Sequence, residues 1–282
     1  MRNDVTKQSH PLTQGEKDMR LCVLASGSKG NCTFVEGENT RILIDCGLTK
    51  SELERRLSLI GVEPASIDSI LITHEHSDHI VGLNNFAAKN NCNVFAHPDT
   101  WHAMADKMEK IVDSHRFEIL GHDFEVNELG VECFDLSHDS AHCLGFSVIS
   151  DGKKISTATD LGYITDSIIR QLADSSVVIL EANHDPKRLM LNPRYPIYLK
   201  QRILSKHGHL SNKDTAESVL KMLGYGVRGV ICAHLSEENN TPELVLNELN
   251  KIVAQNGGEL AKEIRVDIAK QHEIGNLYRI KS

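Results

Sequence analysis

The chain has 282 residues, of which 40% are hydrophobic and 25% are charged, and its formal net charge is −8. This length and apolar content allow a large buried core, which excludes a disordered or fibrous protein. No stretch reaches the roughly 18 consecutive apolar residues of a membrane helix, and the N-terminus lacks the apolar segment of a secretion signal. The seven cysteines form no Cys-x-x-Cys pair. We therefore expect a cytoplasmic protein with reduced thiols, without membrane contact, that does not coat nucleic acid with its whole surface.

The predicted elements alternate between short β-rich runs and helical patterns. Residues 1–18 are polar and lack apolar periodicity, so we expect a flexible N-terminal extension there and a single domain over residues 19–282. Strands are predicted at residues 21–25, 31–36, 41–47, 69–73, 93–96, 131–136, 145–149, 154–159, 177–181, 229–233 and 264–269. Helices are predicted from residue 51 and at residues 79–89, 99–108, 164–173, 212–223 and 242–255.

Two helix starts carry specific signals. Ser51 and Glu54 have the spacing of a capping box, and Thr241 followed by Pro242 suits an N-cap and a first helical position. About a dozen strands interleaved with helices favour an α/β protein in which one sheet packs on another and the helices lie outside.

The segment THEHSDH at residues 73–79, directly after the strand-like SILI, is the strongest chemical signal. Alternate side chains of an extended segment face the same way, so His74 and His76 can reach one cation. Asp78 and His79 lie past the bend into a helix and can reach another. Without a cation, these crowded groups would leave several polar atoms unsatisfied. The segment therefore predicts a metal site.

Three further candidate ligands each close a predicted strand. His138 lies in FDLSHDS, Asp160 ends TATD, and His234 lies in ICAHLS. We expect ligands at strand ends to converge on one edge of the sheets. The two oxygens of a carboxylate can bind separate metals, and Asp160 is the acid best placed to bridge two ions.

This series, His-x-His-x-Asp-His followed by a lone His, Asp and His at strand ends, resembles the metallo-β-lactamase superfamily. Longer strings are similar to the bacterial YycJ/WalJ family of metal-dependent DNA exonucleases. They are ASGSKGN (25–31), LIDCG (43–47), LEANHD (180–185), RYP (194–196), GHLSN (208–212) and AHLSEENN (233–240). The resemblance implies a four-layer αββα sandwich with the metallo-β-lactamase fold. Residues 187–213 are too few to hold the inserted β-CASP domain of superfamily nucleases such as RNase J.

When the family's ligand positions are carried over to this sequence, the resemblance implies seven metal ligands. They are His74, His76 and His138 on a first ion, Asp78, His79 and His234 on a second, and Asp160 between the two. Mixed His and carboxylate ligation suits Zn²⁺, while bridging carboxylate and phosphate oxygens also suit Mn²⁺, so two ions of either metal are expected. Lactam-hydrolysing members usually have Cys at the position of Asp160, and oxygen-reducing diiron members have Glu at that of His76. Glyoxalase-type thioesterases share the ligands but append a glutathione-binding segment, which we do not recognise here.

Other polar residues have two interpretations each. His209 precedes a helix capped by Ser211, and it is either a solvated surface histidine or, as in related phosphodiesterases, the acid that protonates the leaving oxygen. His184 either lines the cleft or packs in the core. Asp45 either accepts a hydrogen bond from a ligand imidazole or caps a strand end. The ASGSKGN segment lacks a Walker pattern and is interpreted as a tight turn bordering the site.

Residues 187–213 contain seven basic and no acidic side chains, so the rest of the chain carries −15. The segment lies between Asp160 and His209 in sequence, and Tyr195 and Tyr198 are interleaved as possible stacking surfaces. A biased charge run is often only a solvated face, but this placement favours a polyanionic substrate. The predicted substrate contacts are His184, Arg194, Lys200, Arg202 and Ser211.

We predict a dinuclear-metal phosphodiesterase, specifically a 5′ to 3′ DNA exonuclease that uses a metal-bridging hydroxide held by Asp78 and a proton donated by His209. The direction and the preference for DNA over RNA come from the resemblance. One alternative is a small-molecule metallo-hydrolase of thioesters, lactones or cyclic nucleotides. A non-catalytic binding module is a second alternative, which the complete ligand set opposes. The sequence predicts no oligomeric state.

Overall fold

The computed structural model describes residues 18–281, and its elements are numbered here in chain order. Residues 1–17 of the predicted extension lie outside the described residues, so the domain division stays a prediction. The strands are β1 Met19–Ala25, β2 Cys32–Glu36, β3 Arg41–Ile44, β4 Ser69–Leu71, β5 Asn93–Ala96, β6 Arg116–Glu118, β7 Asp123–Val126, β8 Leu129–Leu136, β9 Cys143–Ser150, β10 Lys153–Ala158, β11 Val177–Glu181, β12 Gly229–Ala233, β13 Arg265–Ile268 and β14 Tyr278–Ile280.

The α-helices are α1 Lys50–Leu59, α2 Ser77–Ile80, α3 Leu83–Asn90, α4 Pro98–Met104, α5 Asp166–Gln171, α6 Pro186–Leu191, α7 Ile197–Ile203, α8 Asn212–Leu223, α9 Pro242–Gln255 and α10 Leu260–Glu263. Short 3₁₀ turns occur at Pro64–Ser66, Ala105–Lys107 and Asp113–His115. Among the described residues, every helix is too short or too polar to span a lipid bilayer.

The strands form two seven-stranded sheets, in the orders β14-β1-β2-β3-β4-β5-β6 and β13-β12-β11-β10-β9-β8-β7. The first sheet is antiparallel from β14 to β3 and parallel from β3 to β6. The second is antiparallel from β7 to β10 and parallel from β10 to β13. The parallel strands, β3–β6 in the first sheet and β10–β13 in the second, therefore have their carboxyl ends on the same side of their sheet.

Three apolar layers show how the sheets and helices stack. The two sheets meet through a shared core that includes Leu21, Ile42 and Leu71 from the first sheet and Phe146, Ile179 and Ile231 from the second. Alternate residues of the first sheet point outward and pack on α1, α3 and α4, while those of the second pack on α5, α8 and α9. Since strand side chains alternate between faces, each sheet is buried on both sides. The predicted αββα sandwich is confirmed.

Two predicted helices differ in the structure. α1 begins at Lys50 with Thr49 as its N-cap and no side-chain capping bond, so the predicted capping box is wrong. Glu54 instead pairs with Lys89, at 2.9 Å between carboxylate and ammonium. The helix predicted at residues 79–89 is broken into α2 and α3. The break lies at Gly82, whose amide donates to the carbonyl oxygen of Cys46 at 2.9 Å instead of to a carbonyl of its own helix. A Cβ at this position would stand 2.0 Å from the carbonyl oxygen of Leu48, so the close approach requires glycine.

Three strands were not predicted: β6, β7 and β14. Each lies at the edge of its sheet and has only one neighbouring strand. Their residues are mostly half-buried or exposed, so the apolar alternation that marks an inner strand is weak. The helices α6 and α7 were also not predicted.

Gly47 allows the loop after β3 to pass directly against the THEHSDH segment. A Cβ there would lie 1.6 Å from the carbonyl oxygen of Asp78 and 2.6 Å from the amide nitrogen of Asn31. We expect Gly47→Ala to lower the free energy of unfolding by about 3 kcal/mol, because the backbone of both segments must move apart. Chemical denaturation followed by circular dichroism measures this loss.

Gly121→Ala is the matched control, since nothing lies within 4 Å of its added Cβ. We expect a change below about 0.5 kcal/mol for that variant. Equal unfolding midpoints for the two variants would contradict the close approach at Gly47.

Candidate metal centre

Polar side chains gather at one rim of the sandwich, where parallel strands of both sheets end. The carboxyl ends of parallel strands fall on the same edge, which is where α/β proteins build their sites. The side chains that end or follow parallel strands are Asp45 after β3, His74 after β4, Asp160 after β10, Glu181 at the end of β11 and His234 after β12. His138 joins them from the end of the antiparallel strand β8.

His74, His76 and His138 form a first cluster. One ring nitrogen from each lies within 4.8 Å of the other two. The ring centroid of His74 is 4.6 Å from that of His76 and 5.1 Å from that of His138. Nδ1 of His138 lies 3.2 Å from the carbonyl oxygen of Gly208, which leaves Nε2 for the cluster. The three imidazoles could hold one cation.

Asp78, His79 and His234 form a second cluster, again with ligand atoms within 4.8 Å of one another. Oδ2 of Asp78 lies 3.6 Å from Nε2 of His79 and 3.7 Å from Nε2 of His234. Burial alone would raise the pKa of Asp78, but the neighbouring imidazoles of His234 and His79 hold it below its usual value. The carboxylate is therefore ionised and available to a second cation.

Asp160 lies between the two clusters. Its Oδ2 is 3.3 Å from Nε2 of His79, and its Oδ1 is 3.9 Å from Nε2 of His138. Its carboxylate also lies within 4.8 Å of ligand atoms of His74 and His79. The structure thus brings all seven predicted ligands together at one rim, and their role as ligands stays a prediction.

Buried atoms without partners indicate that this centre fits a divalent metal. Nε2 of His74, Nε2 of His234 and Oδ2 of Asp160 are buried and have no hydrogen-bond partner. Native proteins rarely leave buried polar atoms unsatisfied, and a cation supplies the missing partner. Burial and the neighbouring His79 also hold the pKa of His74 well below its usual value, so this imidazole is in the neutral form that binds metals.

The backbone at three of these positions is in the left-handed region. The φ angles are 63° at Asp45, 62° at Asp160 and 56° at His234. Such conformations cost roughly 1–3 kcal/mol each in residues other than glycine and persist where the surroundings hold them. At His234, the amide donates to Oγ of Ser26 at 2.7 Å and the carbonyl accepts from the side chain of Asn183 at 2.9 Å. These contacts hold the strand-end residue in its strained conformation.

Asp45 makes the contact with a ligand imidazole that the sequence predicted. Its Oδ2 lies 2.7 Å from Nδ1 of His79, and its Oδ1 accepts from the amide of Thr73 at 2.9 Å. When one ring nitrogen of a histidine donates a hydrogen bond to a carboxylate, the other nitrogen is left to bind a metal. Asp45 is thus placed to aim Nε2 of His79 at Asp160, although its effect on a metal stays a prediction.

Glu181 is a residue that the sequence analysis missed. It is completely buried, and its Oε1 lies 2.8 Å from Nδ1 of both His209 and His234. Its Oε2 accepts from the amides of Leu161 and Leu210, each at 3.1 Å. Burial alone would raise the pKa of Glu181, but the two imidazoles lower it to about 2. The signal was present as a single acid at the end of the apolar run VVILE, because a buried charge requires partners.

His209 lies beside the centre. Its ring centroid is 5.1 Å from that of His138 and 5.2 Å from that of His234. Because Glu181 holds Nδ1, Nε2 is the nitrogen left for other partners. Burial alone would lower the pKa of His209, but the Glu181 carboxylate raises it above its usual value. This imidazole is therefore suited to carry a proton.

The structure places two predicted substrate contacts, His184 and Ser211, in the interior. Their relative exposures are 1% and 6%, and their backbones pair with each other. Burial lowers the pKa of His184 to about 4, and neither ring nitrogen has a partner. Ser211 caps α8 by accepting from the amide of Asp214 at 3.2 Å. Neither side chain reaches the protein surface, and their substrate contact stays a prediction.

The basic predicted contacts lie on the α6–α7 segment. Arg202 pairs with Asp139, whose other oxygen lies 3.4 Å from Nε2 of His138, so Arg202 is adjacent to the centre. Lys200 donates to the carbonyl oxygen of Met190 at 2.7 Å. Arg194 pairs with Glu238 at 2.8 Å.

Comparisons with known proteins agree with this fold and centre. A family model described as a β-lactamase superfamily domain matches residues 40–234. Exodeoxyribonuclease WalJ of Streptococcus pneumoniae is 37% identical over 233 residues, covering 81% of this chain and 86% of that protein. Exodeoxyribonuclease YycJ of Bacillus anthracis is 32% identical over 240 residues, covering 85% and 90%.

A solved structure shares the fold alone at low identity. The metallo-β-lactamase fold protein YhfI of Bacillus subtilis superimposes with a TM-score of 0.70 at 15% identity, covering 93% of this chain and 99% of that one. The fold and the clustered histidines and carboxylates define a metal-dependent hydrolase. Within the β-lactamase superfamily, the chain belongs to the family of the WalJ and YycJ exodeoxyribonucleases.

Proposed function

We propose that this protein is a cytoplasmic DNA exonuclease that hydrolyses phosphodiester bonds from the 5′ end with two divalent metal ions, zinc or manganese. The observation that carries the proposal is the pair of three-ligand clusters joined by Asp160. The exodeoxyribonuclease relatives, which match most of the chain, support DNA as the substrate. The seven cysteines are all free and buried, which suits a reducing compartment.

The chain would hold the two ions through side chains with divided tasks. His74, His76 and His138 would hold one ion, Asp78, His79 and His234 would hold the other, and both ions would share Asp160. Two ions held this way supply an activated water nucleophile and neutralise the charge that develops on the phosphoryl oxygens. Both imidazole and carboxylate donors suit Zn²⁺ and Mn²⁺, so the ligand set supports either metal.

Two residues would handle the proton transfers. The ionised carboxylate of Asp78 accepts a hydrogen bond from the attacking water and orients it toward phosphorus. On the other side, Nε2 of His209 protonates the departing sugar oxygen. Glu181 holds Nδ1 of His209 at 2.8 Å, which keeps the imidazole oriented and favours its protonated form.

The α6–α7 segment would bind the DNA backbone next to this centre. α7 has no buried residue and carries Lys200 and Arg202. Tyr198 on α7 and Leu191 on α6 are each 71% exposed. Cations contact phosphates and exposed rings stack on bases, a combination typical of single-strand binding. Arg202 would contact the phosphates nearest the scissile bond, because its partner Asp139 neighbours His138. These contacts do not distinguish DNA from RNA, so the preference for DNA rests on the relatives.

Metal-loaded protein should be incubated with linear duplex DNA labelled at either end, a closed circular duplex, a matched RNA, and bis(p-nitrophenyl) phosphate. We expect progressive release of label from the 5′ end of linear DNA, slower cleavage of RNA and an intact circle. A chelator should stop the reaction, and added zinc or manganese should restore it.

Cleavage of the small ester with all nucleic acids left intact would refute the nuclease and favour a small-molecule hydrolase. Nicking of the closed circular duplex would refute the proposal that the enzyme requires a free DNA end. Release from the 3′ label first would refute the direction.

A further inference from the structure

A second group of metal-binding side chains lies outside the centre described above. It consists of His97, which precedes α4, Asp99 in the first turn of α4, and His142 in the segment between β8 and β9. One ligand atom from each lies within 4.8 Å of the other two. We propose that this peripheral cluster binds a further divalent ion of the zinc class, separate from the ions of the catalytic centre.

The distances within the peripheral cluster suit a tetrahedral ion. Oδ2 of Asp99 lies 3.5 Å from Nδ1 of His97 and 4.0 Å from Nδ1 of His142. Bonds of about 2.0–2.1 Å to a tetrahedral zinc place neighbouring ligand atoms roughly 3.4 Å apart. Rotation of one imidazole and closure of the three side chains would supply three of the four ligands of a tetrahedral ion, and water can supply the fourth.

The rings of His97 and His142 stack with centroids 3.6 Å apart and planes at 12°. Because a histidine binds a metal in the plane of its ring, one of the two rings must rotate out of this stack for both Nδ1 atoms to meet one ion. Burial and the proximity of His142 hold the pKa of His97 below its usual value. Nδ1 of His97 already acts as an acceptor, taking a hydrogen bond of 3.2 Å from the amide of Asp99, so its lone pair is available for an ion to replace that bond.

Asp135 provides an independent indication of a metal site. Its Oδ1 lies 2.8 Å from Nε2 of His142, so Nε2 is the protonated nitrogen and Nδ1 keeps its lone pair facing Asp99. Metal-bound histidines commonly donate their other nitrogen to a carboxylate in this way. The same arrangement links Asp45 to His79 and Glu181 to His234 in the catalytic centre.

The location of the peripheral cluster indicates what the ion would do. His97 and Asp99 follow β5 of the first sheet, whereas His142 precedes β9 of the second. The two sides already touch through Thr100, whose hydroxyl donates to the carbonyl oxygen of His142 at 3.1 Å. An ion would cross-link the sheets near the segment that carries His138. We therefore expect it to stabilise the fold rather than take part in hydrolysis.

The test is a titration of Zn²⁺ into protein whose catalytic centre already holds its metal. Isothermal titration calorimetry and native mass spectrometry measure the number of ions bound. Wild type should bind one ion more than His97→Ala or His142→Ala. The extra ion should also raise the melting temperature of wild type and leave those of His97→Ala and His142→Ala unchanged. Asp135→Asn should keep the ion with an affinity about 10- to 100-fold weaker.

His102→Ala is the matched control, because His102 is an exposed histidine on α4 outside the peripheral cluster. It should bind the extra ion as wild type does. Circular dichroism and retained catalytic metal establish that the variants are folded. Equal zinc stoichiometry in folded wild type and His142→Ala would overturn the proposal, and so would loss of the same ion in His102→Ala.

Discussion

Asp160→Ala is expected to abolish metal-dependent phosphodiester hydrolysis, lowering kcat/KM by at least about a thousandfold. The side chain has one oxygen toward each cluster, so its loss removes a shared ligand from both ions. A loss of several kcal/mol of transition-state stabilisation corresponds to this factor. Metal content after gel filtration, measured by inductively coupled plasma mass spectrometry, should fall together with activity.

Position 160 has a left-handed backbone, at φ 62°, so alanine could also destabilise the fold. Asp160→Asn separates the two effects, because asparagine tolerates this conformation and keeps the shape but lacks the charge. It should fold normally and still lose metal and activity. Asp166→Ala, at an exposed acid that pairs with Lys221, is the control and should retain both. Unchanged turnover with complete metal loss in Asp160→Asn would rule out the mechanism.

Glu181→Gln is expected to lower kcat/KM by at least about a hundredfold, although it changes only one atom. Glu181 is surrounded by four N–H donors, two from imidazoles and two from backbone amides. The side-chain amide of the glutamine must turn its own NH₂ toward either the two imidazoles or the two backbone amides. If it faces the imidazoles, Nδ1 of His234 must give up its proton and Nε2 then carries it, which removes a metal ligand. His209 loses the carboxylate that favours its charged form.

The readouts for Glu181→Gln are metal affinity and the pH dependence of kcat. A purely structural role would change stability alone, whereas loss of the carboxylate should weaken metal binding and lower the pKa of the group that must be protonated. Glu132→Gln, at a carboxylate paired with Lys154 in the second sheet, is the matched control. Wild-type metal affinity and pH profile in Glu181→Gln would contradict the orienting role.

Local sequence patterns predicted the inner elements well. The bounds of β5, β11, β12, α8 and α9 agree with prediction, because inner strands and amphipathic helices carry strong periodic apolar signals. The edge strands β6, β7 and β14 were missed, since one-sided pairing leaves them half-exposed. The break at Gly82 was missed because its hydrogen-bond partner, the carbonyl of Cys46, is a neighbour only in the folded chain.

The sequence by itself determined the class of protein and the residues from which its centre is built. The candidate ligands in residues 74–79 are set by short spacing along the chain, and the remaining candidates each close a recognisable strand. The tertiary structure decided what those residues touch. The apolar run VVILE marks Glu181 as a buried charge, but only the strand order shows that His209 and His234 are its partners. His184, which the sequence placed in the cleft or the core, is buried by its pairing with Ser211. Such contacts join segments that are far apart in the chain. Which segments meet depends on how the strands of the two sheets are ordered and where they end, and the tertiary structure alone decides this.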